Sequence, residues 1–301
     1  MNKMMTIING KKLREEILIK IKKEVATLPF QPIFCDVLVG DDPSSLQYVR
    51  MKAKTAESVG IKFHSAIFPA NIETQDLTTE LINLNKIKNM CGIIVQLPLP
   101  EHIDRRAVLD AIDPELDVDC LGSVQSEKFY KGESLMGFPT ALACMALLDS
   151  INLNNNPSTS PRTRKIVVLG QGDLVGKPVS ALLTFRGLDH VVITRKTPVR
   201  NTYGIAVPGG ENKEKFIKEA DVIISGIGRG KYITGPMIKK GSVIIDAGTS
   251  EDNGGIVGDV DLESVKDVAG FISPVPGGVG PVTVAMLLNN VLTVAKNLKW
   301  Q

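Results

Sequence analysis

Tyr48 and Lys52 stand four residues apart behind a cluster of turn and capping residues, Gly40-Asp41-Asp42-Pro43-Ser44-Ser45, which a strand-like run precedes. On a helix both project from one face, close to where the strand hands over, and open α/β sheets bind ligands at such strand ends. Gln96 reaches a comparable place by another route. In Cys91-Gly-Ile-Ile-Val95-Gln96-Leu97-Pro-Leu-Pro100 a β-branched run ends at Gln96 as Pro98 stops further pairing, so an amide sits at the edge of a buried strand. Asp119 closes the acidic segment Asp113-Pro-Glu-Leu-Asp-Val-Asp119. An amine, an amide to orient it and a carboxylate are a set able to move protons, provided the fold gathers them. Taken singly, each has an ordinary reading: Lys52 a solvated helix lysine, Gln96 a strand cap, Asp119 a turn former and Tyr48 a core aromatic.

A second kind of chemistry is written further on. The loop Gly170-Gln171-Gly172-Asp-Leu-Val-Gly176 turns a strand into a helix, and its glycines let backbone N–H groups approach a pyrophosphate at the helix N-terminus. The spacing is Gly-x-Gly-x-x-x-Gly, which also suits a plain strand-to-helix turn. At the end of the next strand an NAD site often carries an acid for the ribose hydroxyls, whereas this chain has Arg195-Lys196. Unless they are only solvated charges, such cations suit a 2′-phosphate, so loop and cations together favour NADP, with NAD possible. Near the C-terminus, Ser273-Pro-Val-Pro276-Gly277-Gly278-Val-Gly-Pro-Val-Thr283 combines three prolines with three glycines. That composition can lay bare backbone against a flat ligand.

The elements that must hold these groups follow from periodicity. Helical spacing marks Lys11–Thr27, Asp76–Lys88, Arg105–Ile112, Thr140–Leu148 and the apolar run Val282–Leu298. Short buried runs mark strands at Ile33–Val39, Lys62–Phe68, Ile93–Val95, Lys165–Leu169, Val191–Thr194, Asp221–Ser225 and Ser242–Asp246. A short helical turn is expected at Met237–Lys240, and Arg200–Glu214 reads as an exposed polar excursion. Asp149–Arg164 is rich in Asn, Ser, Thr and Pro and reads as a surface connection between domains. The alternation implies an α/β protein of two parallel-sheet domains flanking a cleft, the second Rossmann-like: residues 1–148 plus 282–301, and residues 149–281, with the C-terminal helix returning to the first.

Composition narrows the class. The chain has 301 residues, 43% hydrophobic and 23% charged, with a net charge of +2 and no dense Lys/Arg block, so nothing marks it for nucleic acid. Cys35, Cys91, Cys120 and Cys144 are scattered and the three histidines lack ligand spacing, so neither disulfides nor a metal site are expected. The N-terminal stretch has no secretory pattern and the last apolar run is short for a membrane span, which makes cytosol the expectation.

Across nearly its whole length the sequence resembles the bifunctional methylenetetrahydrofolate dehydrogenase/cyclohydrolase family. The likeness is carried by Val39-Gly-Asp-Asp-Pro-Ser-Ser with Tyr48-x-x-x-Lys52, Gly92 to Pro100, Asp113 to Asp119, Gly170 to Pro178, Ile245-Asp-Ala-Gly-Thr249, Gly258-Asp-Val260 and the Ser273–Thr283 loop. The resemblance implies a tetrahydrofolate site with Lys52 as catalytic base or acid, Gln96 tuning it, Asp119 gripping the pterin edge and Tyr48 lining or stacking on the ligand. It also implies substrate contacts from Val95, Leu97, Pro276, Gly277 and Gly278, NADP contacts from Gly170, Gln171, Gly172, Arg195 and Thr249, and a homodimer. A dehydrogenase with a weak hydrolytic step and a non-catalytic binding module are the alternatives. Four departures bear on this. Cys120 follows Asp119 where the family usually has glycine; Phe138-Pro-Thr-Ala-Leu-Ala143 lacks the family's second proline and glycine; Gly170-Gln171-Gly172 replaces Gly-Arg-Ser; and Arg195 stands where serine is common.

Overall fold

The computed structural model describes residues 5–151, 164–252 and 254–298. In chain order the elements are β1 (Thr6–Ile7), α1 (Gly10–Val25), β2 (Ile33–Val39), α2 (Pro43–Ser58), β3 (Lys62–Phe68), α3 (Thr74–Leu84), β4 (Met90–Val95), α4 (Arg105–Asp110), α5 (Ser123–Tyr130) and α6 (Pro139–Ser150). They continue as β5 (Ile166–Leu169), α7 (Gly176–Phe185), β6 (His190–Ile193), β7 (Arg200–Asn201), α8 (Lys213–Glu219), β8 (Val222–Ser225), a 3-10 turn (Gly235–Met237), β9 (Val243–Asp246), β10 (Ser250–Asp252), β11 (Gly255–Val257), α9 (Leu262–Val265), β12 (Phe271–Ser273) and α10 (Val279–Asn297). Two compact units result: Glu15–Pro139 with the chain from Val284, and the chain to Arg14 with Thr140–Thr283.

The first unit is built on a three-stranded parallel sheet in the order β3-β2-β4. β2 is central and almost wholly buried, as its continuous apolar lettering requires, with Asp36 as the exception. α2 starts cleanly because Pro43 occupies its first turn and Asp42 caps it, Oδ2 accepting from Ser45 N at 2.8 Å and Ser44 Oγ at 2.6 Å. From α10, Asn290 Nδ2 donates to Val118 O at 2.8 Å and Gly137 O at 2.7 Å, anchoring the helix beside the 113–122 segment. α10 is long and apolar enough to cross a membrane, but most of it is buried, as in a core helix of a globular protein.

The second unit holds a seven-stranded sheet ordered β1-β12-β9-β8-β5-β6-β7, parallel except for β7. The order reverses at β5, whose neighbours are β6 and β8. The ends of β5 and β8 therefore mark the switch point of the sheet, the place where such sheets take ligands.

Several expectations are corrected. The stretch from Arg200 is mostly exposed, as its polarity implies, but it is not without regular structure: β7 pairs with β6 and α8 begins at Lys213, leaving Tyr203, 78% exposed, near the tip. α10 starts at Val279 rather than Val282, because Pro281 falls in a first turn that loses no hydrogen bond by lacking an N–H. Elements the periodicity missed are β1, α5, β7, α8, α9, β12 and the antiparallel β10–β11 hairpin, most of them too short to show a period. β1 joins the second unit by pairing with β12, and the boundary falls at Pro139/Thr140, whereas composition marked Asp149–Arg164; residues 152–163 of that connection lie outside the described residues.

Candidate active site

Lys52 lies on the covered face of α2, 8% exposed. Its Nζ donates to Gln96 Oε1 at 2.7 Å and stands 2.7 Å from Asp36 Oδ2. Gln96 is placed by its own backbone, whose N–H bonds Val37 O at 2.8 Å, and its Nε2 donates weakly to Leu97 O at 3.4 Å. With its acceptor oxygen turned to the amine, the amide can only orient Lys52 as a donor. Sequence reasoning missed Asp36. It is fully buried in the central strand, Oδ1 has no hydrogen-bond partner among the described residues, and burial pushes its carboxyl up while Lys52 pulls it down. The signal was present: one acid inside Ile33-Phe-Cys-Asp-Val-Leu-Val39, a run that otherwise reads as core.

Asp119 belongs to a segment held against β4, since Ile93 N donates to Leu116 O at 2.8 Å and Ile93 bridges Asp117 in parallel register. It keeps some solvent contact, yet the surrounding protein desolvates it and pushes its carboxyl up to about 7; Lys52 opposes this, and Asp117 and Asp36 add to it. Asp117 is structural. Its Oδ2 accepts from Gly122 N at 2.7 Å, fixing the turn that presents Asp119, and burial carries it up to about 6. Cys120 takes a left-handed conformation in this turn, φ 59°, a backbone state that favours glycine. The thiol is buried beside Gln125 Nε2 at 3.9 Å. Tyr48, on α2 with Lys52, is 44% exposed and offers its ring to solvent or ligand; Val95 is buried at the end of β4 and Leu97 is partly exposed.

In the other unit the candidates gather at the C-terminal edge of the sheet. Gly170 ends β5 with φ 96°, and a Cβ there would lie 2.7 Å from Gly226 O, so the loops after β5 and β8 close on each other only with glycine. Gly172 has open space where a side chain would be. Gln171 folds back, Nε2 donating to Gly170 O at 3.1 Å and Ser180 Oγ at 3.2 Å, and so braces the loop from within. Arg195 is exposed after β6, in a loop fixed by Lys213 Nζ donating to Thr194 O at 2.7 Å and Arg195 O at 3.1 Å. Thr249 is exposed after β9. Two buried acids, not assigned roles from sequence, pin these loops: Asp259 accepts from Ser225 Oγ at 2.6 Å, Ile227 N at 2.9 Å and Arg229 N at 2.7 Å, and Asp246 accepts from the N–H groups of Gly248, Asp259 and Val260. Pro276, Gly277 and Gly278 lie between β12 and α10, Gly278 N donating to Pro274 O at 2.7 Å. The structure thus brings Lys52, Gln96 and Asp119 into one cluster, and places the glycine loop, Arg195, Thr249 and the 276–278 loop on the other unit. All four cysteines are free and buried, and among the described residues no group of three His, Cys, Asp or Glu side chains could hold a metal.

Backbone open at Gly172, a glycine-closed turn at the sheet's switch point and a cation after β6 fit a phosphorylated dinucleotide, which makes the class a dinucleotide-dependent α/β enzyme carrying a separate amine-carboxylate centre. The particular family follows from comparison. Residues 8–119 match the catalytic domain, and residues 139–299 the NAD(P)-binding domain, of tetrahydrofolate dehydrogenase/cyclohydrolase, and the chain belongs to that family. It is 38% identical over 296 residues to the bifunctional protein FolD of Halothermothrix orenii, covering 96% of this chain and 98% of that one. Among solved structures it resembles the FolD dehydrogenase/cyclohydrolase of Campylobacter jejuni (TM-score 0.86, 33% identity, 97% and 99% covered). It also resembles the Trypanosoma brucei enzyme complexed with NADP and an inhibitor (TM-score 0.85, 33% identity, 98% of each chain).

Proposed function

We propose that this enzyme oxidises 5,10-methylenetetrahydrofolate to the methenyl form with NADP and hydrolyses that to 10-formyltetrahydrofolate, with Lys52 as the proton carrier of the second step. The observation that supports the assignment to Lys52 most is its ammonium, buried and held between Gln96 Oε1 and Asp36 Oδ2 in a chain matched along its length by this family. NADP, when bound, accepts the hydride. Oxidation then asks the chain mainly for alignment, because the folate nitrogens stabilise the cation that forms. In hydrolysis water adds to the methenyl carbon, one proton is released, and another moves from the new hydroxyl to the ring nitrogen whose bond to that carbon breaks. Lys52 Nζ, as the neutral amine, accepts that proton and returns it to the nitrogen. Gln96 holds the amine, Asp119 accepts hydrogen bonds from the pterin edge, Tyr48 covers the ring, Val95 and Leu97 flank it, and the Pro276–Gly278 backbone meets the substrate. Mixing purified protein with methylenetetrahydrofolate and each nucleotide tests the reading; reduction of neither nucleotide would end it.

The Asp119 role carries a pH signature. Its carboxyl, raised to about 7, must be ionised to accept two hydrogen bonds, so folate affinity falls as pH drops through that value. At one unit below, affinity is expected to be about tenfold weaker, and the slope should vanish in Asp119→Asn. Calorimetric titration between pH 6 and 8 reads this.

Nucleotide choice is assigned to Arg195 with the backbone of Gly170, Gln171 and Gly172 and the Thr249 hydroxyl. Arg195→Ala is expected to raise KM for NADP about tenfold or more and leave that for NAD nearly unchanged, since a charge-assisted hydrogen bond to a phosphate contributes roughly 1.5–3 kcal/mol. Equal weakening of both nucleotides would remove Arg195 from 2′-phosphate recognition. The reading extends, on family resemblance, to a cytosolic homodimer serving purine biosynthesis; a monomer in sedimentation would remove the dimer.

A further inference from the structure

Asp36 is an acid where a central strand calls for an apolar side chain. It is fully buried, its nearest charge is the Lys52 ammonium at 2.7 Å, and Oδ1 is left without a hydrogen-bond partner among the described residues. A lone buried carboxylate is costly unless a specific cation offsets it, and the cation here is the amine assigned to proton transfer. No backbone N–H among the described residues bonds the acid, in contrast to Asp117, Asp246 and Asp259, which hold turns together. Bracing a loop is therefore not its work.

We infer that Asp36 is a positioning residue for Lys52: it holds the amine against Gln96 Oε1, and the pH profile of hydrolysis depends on it. The proposal rests on the assignment of Lys52 to the hydrolytic step. The groups facing the pair are few. β2 contributes Asp36 itself and the neighbouring Cys35, β4 ends in neutral Gln96, the 113–122 segment brings Asp117, Asp119 and Cys120, and α2 carries Tyr48 one turn before Lys52. Burial pushes the Cys35 thiol up to about 12 and the Cys120 thiol well above its ordinary value, so neither ionises near neutrality. Asp117 and Asp119 are both raised, to about 6 and about 7, so both change charge in or beside the working range, in the parent and the Asp36 variant alike.

An anion in contact with an ammonium favours its protonated form. The acidic limb of the hydrolysis profile is expected to move down by about one pH unit or more in Asp36→Asn. The hydride-transfer profile should stay in place. A residue that merely packs would lower both rates without moving either profile. If Asp36→Asn does not fold, Asp36→Val, which suits the apolar strand, is measured in its place.

A second readout does not depend on turnover. In full-length protein with 15N-labelled lysine, the Lys52 Nζ resonance, assigned through its loss in Lys52→Met, should shift in the Asp36 variant while the other lysine resonances stay in place. An unmoved hydrolysis limb together with an unmoved Lys52 resonance in folded Asp36→Asn overturns the proposal. Absence of methenyl hydrolysis in the parent would refute the functional reading instead, and the Lys52 resonance would still decide whether Asp36 holds that amine.

Discussion

The Lys52→Met/Asp36→Val enzyme is expected to reduce NADP with methylenetetrahydrofolate at close to the parental rate and to hydrolyse added methenyltetrahydrofolate about a hundredfold to ten-thousandfold more slowly, the range a positioned acid-base group supplies. The two steps divide because they ask different things of the protein. Hydride transfer relies on alignment, and the folate nitrogens carry the charge that develops. Hydrolysis needs a proton moved between oxygen and nitrogen, and Lys52 is the buried amine proposed for it, bonded to Gln96 at 2.7 Å. Removing both members of the ion pair avoids the stranded charge that would confuse the comparison. Separate assays from the methylene and methenyl substrates read the two rates.

Lys52→Met alone is a different experiment. It leaves Asp36 fully buried without its counter-charge, and breaking a buried pair from one side typically costs about 3–5 kcal/mol. The single variant should therefore unfold at markedly lower urea concentration than the parent, while the added Asp36→Val change recovers most of the loss, since an apolar side chain suits the centre of β2. The pH dependence has a definite sign. Asp36 is raised in the folded state by burial, and without Lys52 nothing in the pair opposes that rise. The folded single variant thus holds the Asp36 proton more tightly than the unfolded chain does. It is relatively most stable below about pH 4, and loses that stability as pH climbs towards the folded value. A double variant no more stable than the single one at neutral pH would show that the pair does not explain the loss.

How much of this was legible beforehand depends on whether the information is local. Lys62–Phe68 and Ile33–Val39 are strands as their lettering implies, and Tyr48 and Lys52 share a helix because a cap and a proline start it at the right residue. Gln96 was legible from the proline behind it. Asp36 was not, because one acid in an apolar run does not disturb a strand pattern, and its partner is on another element. β1 and β12 offer two and three residues, and only pairing across the sheet makes them strands. Arg200–Glu214 misled through its polarity: turn residues and lysines concealed an edge strand and a helix start that tertiary contacts select. At Cys120 the backbone takes the left-handed state with a cysteine in it, in a turn that Asp117 holds through backbone N–H groups, and neither the contact nor the conformation is written in the local sequence. Sequence supplied the chemistry of single residues; which acid meets which amine required the fold.

Single-turnover absorbance of the methenyl species, with enzyme in excess over methylenetetrahydrofolate and NADP present, tests the assignment of Lys52 most directly. The parental signal should rise and decay as formyl product forms, and in Lys52→Met/Asp36→Val it should rise equally fast and persist. Decay at the parental rate in that variant, or loss of the rise itself in folded protein, would contradict the account.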